Sequence, residues 1–60
     1  MNLNQMELQN LRHLISSHET GEKKLNLYAE QSSDPQVKQI FQQSAKSAGQ
    51  TRQKLLSFLS

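Results

Sequence analysis

The sequence predicts an all-α protein: an antiparallel two-helix hairpin that pairs with a second copy to form a homodimeric four-helix bundle. Three observations predict it. Apolar residues recur at steps of three and four on both sides of Ser32-Ser33-Asp34-Pro35, the period of one helical face rather than of a strand. Asp34 and Pro35 have the chemistry of an N-cap and a first helical residue, so one helix ends and another starts there. The chain has 60 residues, 33% of them hydrophobic, with no cysteine and no tryptophan, so its own core is thin. A chain of this size buries only about 60% of its unfolded surface, and without disulfides or metal the usual remedy is self-association.

The first helix is expected over about residues 4–32. Leu8, Leu11, Leu14, Ile15, His18, Glu22, Leu25, Tyr28 and Ala29 fall on one face, while Asn10, Arg12, Ser16, Ser17, Lys23, Lys24 and Gln31 fall on the other. A rod this long needs a neighbour, because most helical stability comes from packing. Gly21 sits inside the pattern. It is either a tolerated weak spot or a point of close helix approach, being on the seam of His18 and Leu25. Met6, His13 and Leu27 fall toward the opposite face, where a second, weaker contact surface would allow assembly beyond a dimer.

The turn spans 32–35. Asp34 accepts from the free N–H groups of the next turn, and Pro35 loses nothing at a position whose N–H would be unpaired anyway. The proline also pushes Asp34 out of the α region, which stops the incoming helix.

The second helix is expected over about 35–59, giving one domain across 1–60. Val37, Phe41, Ser44, Ala48, Thr51, Leu55 and Phe58 alternate steps of four and three, flanked by Ile40, Ala45, Arg52, Leu56 and Leu59. Its glutamines cover the wet side. Pairing outward from the turn sets Tyr28 near Val37, Leu25 near Phe41, Leu14 near Thr51 and Leu11 near Leu55. His18, Gly21 and Glu22 then face Ser44, Ala45 and Ala48, a small polar layer between large apolar ones. Two stripes on two helices cannot enclose a core, but two hairpins can. The expected core and interface residues are therefore Leu11, Leu14, His18, Leu25, Tyr28, Val37, Phe41, Ala48, Leu55 and Phe58.

The net charge is +2, unevenly spread: Lys38, Lys46, Arg52 and Lys54 follow the turn, and Glu7, Glu19, Glu22 and Glu30 precede it. This biases the helices toward antiparallel docking more than it stabilises them. The basic residues of the second helix are scattered, with no aromatic residues between them for stacking, so nucleic acid is not an expected partner. No apolar run approaches the roughly 18 residues of a membrane span, and no basic region followed by an apolar block marks a signal peptide. The default location is the cytoplasm of a bacterium-like source.

No constellation of residues spells out an enzyme. The serines lie in no nucleophile elbow, and no glycine-rich phosphate loop is present. His18 and Glu22, one turn apart, are the candidates for a metal- or ligand-binding layer. The simpler expectation is a hydrogen-bonded polar layer that fixes register. A carboxylate-bridged di-metal bundle needs Glu-x-x-His elements on further helices, and Ser47-Ala48-Gly49-Gln50 stands where one would lie. No cofactor is expected.

The run Tyr28-Ala29-Glu30, then Ser33-Asp34-Pro35-Gln36-Val37-Lys38-Gln39-Ile40-Phe41-Gln42-Gln43 and Leu55-Leu56-Ser57-Phe58-Leu59 resembles the spore coat protein F family. The likeness runs from about Leu11 onward. It implies a ferritin-like hairpin, a structural role in sporulation, contacts with itself and with other coat proteins, and a place in the spore coat. Metal-binding relatives would carry Glu and His where this chain has Ser47 and Gln50, so the resemblance implies assembly rather than oxidase chemistry.

Overall fold

The computed structural model describes residues 3–59, so the ends of the expected 1–60 span lie outside the described residues. Two helices pack antiparallel along their length: α1, Gln5–Gln31, and α2, Pro35–Leu56, with a single 3-10 turn, α3, over Ser57–Leu59. The hairpin measures 46 × 14 × 12 Å over its Cα atoms.

The helix ends follow from side-chain chemistry. Asn4 caps α1 by accepting from the Glu7 N–H at 2.7 Å, and the Glu7 carboxylate accepts from the Asn4 N–H at 3.2 Å. This capping box is written in the sequence as Asn-x-x-Glu and satisfies two otherwise free donors reciprocally. At the turn, Asp34 Oδ1 accepts from the N–H groups of Gln36 and Val37, with Pro35 following at the first helical position. Asp34→Ala should therefore lower stability by about 1 kcal/mol, read as a shift in the denaturation midpoint with unchanged slope. At the far end α2 tightens into α3, where the Ser57 N–H reaches the carbonyls of Gln53 and Leu55.

The stripe of α2 that meets α1 is rotated from the expected one. Phe41, Ala45, Ala48, Arg52 and Leu55 turn toward α1, while Val37, Ser44, Thr51 and Phe58 are exposed. Ala29 and Ala45, each 3% exposed, are the only buried residues described. Their small side chains let the two backbones approach. Opposite them on α1 run Leu8, Leu11, Ile15, His18, Glu22, Leu25 and Ala29 in alternating steps of three and four, with Leu14 and Tyr28 at the edge.

The register also differs from counting outward from the turn. Tyr28 packs on Phe41, with ring centroids 5.6 Å apart at 56°, rather than pairing only with Val37. A helical side chain covers a spot about one position toward its own N-terminus. In an antiparallel pair both partners lean, so touching residues sit about two positions further apart in sequence than backbone levels suggest.

Candidate functional site

Residues seven apart on a helix fall on nearly the same face, and by that spacing a second stripe runs beside the first on each helix. On α1 it holds Leu14, Gly21 and Tyr28; on α2 it holds Val37, Ser44, Thr51 and Phe58. Both stripes lie on one side of the hairpin. Leu14 and Phe58 line a common cleft at the open end, with Leu3, Glu7, Leu11 and Leu55. The large members of this face stay open to solvent: Leu14 and Tyr28 are 44% exposed, Val37 40% and Phe58 39%. Ile40, at 61%, extends it near the turn. Large apolar groups stand at both ends, with Gly21, Ser44 and Thr51 between them.

The other side of the hairpin carries an interhelical ion pair. Arg52 Nε donates to Glu22 Oε2 at 3.2 Å, and both side chains are about three-quarters covered. Glu19 and Lys23 form a second, fully surface pair at 3.6 Å. Lys46, Gln50 and Gln53 gather around Glu22 and Arg52. The Glu22 carboxylate lies directly over Gly49: a Cβ at that position would fall 2.9 Å from its Oε1. Gly49 thus makes room for the ion pair.

This changes the central layer. His18 and Glu22 do not act as a pair. Glu22 reaches across to Arg52, and the His18 Nδ1–H donates to the Leu14 carbonyl at 2.9 Å. The carbonyl can only accept, so this contact places a proton on Nδ1. Among the described residues no group of three or more His, Cys, Asp or Glu side chains is placed to hold a metal ion. Arg52 is the residue that sequence reasoning left out of the layer. Its position on the Ala45–Ala48–Leu55 rhythm was the available signal.

Of the other expected core residues, Leu11, Leu25, Phe41, Ala48 and Leu55 are half-buried between the helices. Leu14, Tyr28, Val37 and Phe58, expected in the core or interface, are exposed in the single hairpin. Met6, at 67% exposed, and Leu27, at 49%, lie apart from it. No helix described is long and apolar enough to cross a membrane. No family model matches the chain, and neither a curated protein nor a solved structure matches it significantly.

Proposed function

We propose that this chain is a non-enzymatic assembly module whose open face is covered by a second copy, giving a homodimeric four-helix bundle of ferritin-like build. A part in a spore coat, through contacts with itself and other coat proteins, is the setting its sequence resemblance suggests. The observation that carries the proposal is the combination of a thinly buried seam, in which Ala29 and Ala45 are the only described residues fully buried, with exposed Leu14, Tyr28, Val37 and Phe58 on one side of it. Apart from Ala29 and Ala45 the apolar side chains between the helices are only half-buried, so a lone hairpin sets little apolar burial against the ordering entropy of nearly sixty residues.

Gly21 supports the same proposal. Among the described residues nothing on α2 lies within 4 Å of a Cβ built there, so the hairpin itself does not call for a glycine, whereas close approach of a second copy would use one. Sedimentation equilibrium at micromolar concentration should return twice the 6.9 kDa chain mass and a melting temperature that rises with concentration. Gly21→Ala should weaken association even though alanine favours the helix by about 1 kcal/mol. A cooperative single chain at micromolar concentration would sink the proposal. So would stoichiometric iron, manganese or zinc after purification without chelators, which would return His18 to a metal-binding role.

A further inference from the structure

We propose that the Glu22–Arg52 pair, seated over Gly49, selects which stripe of α2 turns toward α1. It thereby holds Val37, Ser44, Thr51 and Phe58 on the outside of the hairpin. The selection acts within one chain and stands whether or not a second copy covers that face.

α2 has two candidate stripes, and apolar packing separates them weakly. Phe41, Ala45, Ala48 and Leu55 face α1, while Val37, Ser44, Thr51 and Phe58 keep the same helical spacing and are exposed. Each stripe has a large apolar residue toward either end and small residues between. They differ by about 100° of rotation, the step from one helical residue to the next. The sharpest difference lies level with Glu22. The observed rotation presents Arg52 there, and the other presents its neighbour Thr51. A threonine hydroxyl donates one hydrogen bond to a carboxylate but brings no charge.

The pair is built into the seam. Arg52 Nε donates to Glu22 Oε2 at 3.2 Å, from thirty residues away, and the side chains are only 25% and 28% exposed. Among the described residues it is the only ion pair joining the helices; Glu19 and Lys23 pair within α1, in the open. Lys46 also borders Glu22 but is exposed. Turning α2 to its other stripe carries Arg52 off the seam and strands the Glu22 carboxylate. Stranding one member of a covered charge pair costs more than the intact pair gains, so such pairs fix register better than they stabilise.

Gly49 is a second, independent mark. No glycine has positive φ among the described residues, so the backbone does not call for one, and a glycine weakens a helix interior. It stands where the carboxylate lies. A Cβ built on it would come within 2.9 Å of Glu22 Oε1, 3.1 Å of Cδ and 3.2 Å of Oε2. All three carboxylate atoms rest against bare backbone, which lets Glu22 reach Arg52 three residues on.

One tyrosine and two phenylalanines make the rotation readable by nuclear magnetic resonance. The Tyr28 ring meets Phe41, with centroids 5.6 Å apart. Nuclear Overhauser contacts in mixtures of labelled and unlabelled copies separate contacts within a chain from those between copies. The parent should show one within-chain set, Tyr28 to Phe41. Glu22→Gln, Arg52→Gln and Gly49→Ala should each add a second set, Tyr28 to Val37 or Ser44, whereas Arg52→Lys, which keeps the charge, should not. Glu22→Gln and Arg52→Gln should each lower the folding constant about 10-fold, and the double variant no more than the larger single effect. Coupled losses with one contact set throughout overturn the selection and leave a pair that only stabilises. Additive losses overturn the pair's role altogether. Gly49→Ala with one set and higher stability overturns the part given to Gly49. If a single variant does not fold, the exchanged pair Glu22→Arg/Arg52→Glu decides. Recovery of the Tyr28–Phe41 set supports the selection, and its absence overturns it. A single-chain mass in the parent sample overturns the assembly alone.

Discussion

Phe41→Ala should destabilise the protein by about 3–5 kcal/mol, enough to dissociate or unfold it at micromolar concentration. Phe41 packs on Tyr28 with the rings tilted at 56°, and is half-buried by its own hairpin. A loss of that size belongs to a fully enclosed phenylalanine. In the proposed assembly the part of the ring that α1 leaves open is covered by the second copy. Denaturant melts at several protein concentrations separate the contributions. A concentration-dependent midpoint that collapses in the variant identifies Phe41 as an interface residue. A loss near 1 kcal/mol at every concentration would mean that only the intrachain contact with Tyr28 counts. An unchanged melting curve would mean that Phe41 is not on a packed seam at all.

Leu14→Glu should abolish dimerisation, with a loss of at least about 100-fold in association. Leu14 walls the open-end cleft and is 44% exposed in the hairpin. At an exposed position a substitution ordinarily changes stability by no more than about 0.5 kcal/mol. In a two-fold assembly, each copy instead places an unpaired carboxylate inside a covered apolar layer. Burying a charge without a partner is among the few single changes that cost several kcal/mol. Because the seam of one hairpin is thinly buried, loss of the dimer should carry loss of helicity with it. Circular dichroism and sedimentation of the same samples check both effects. A variant that melts like the parent would show that the hairpin stands alone.

The two predictions differ in what they probe. Phe41 belongs to both the intrachain seam and the open face, whereas Leu14 belongs mainly to the face. Together with Gly21→Ala, they divide the chain's apolar surface into the part the hairpin satisfies and the part it leaves for a partner.

Local chemistry made much of this architecture legible. Asp34-Pro35 marked a helix start because a capping bond spans only two or three residues, and the Asn4-x-x-Glu7 box, which the sequence reading did not single out, obeys the same local rule. The helical period was equally plain in Leu8, Leu11, Ile15, Leu25 and Ala29. Less legible was which of two neighbouring stripes on α2 faces its own hairpin. Phe41-Ala45-Ala48-Arg52-Leu55 and Val37-Ser44-Thr51-Phe58 both keep helical spacing and differ only by a modest rotation.

The sequence by itself determined two capped amphipathic helices, the break between them, and a shortage of apolar burial in a lone hairpin. Only the tertiary structure decided that Ala45 and Ala29 would be the points of closest packing. It also decided that Glu22 would meet Arg52 across the hairpin rather than His18 one turn away, and that Leu14, Tyr28, Val37 and Phe58 would stay open. The reason is physical: helix formation and capping are satisfied within a few residues. The rotation and register of one helix on another depend instead on how side chains thirty residues apart lean and interlock.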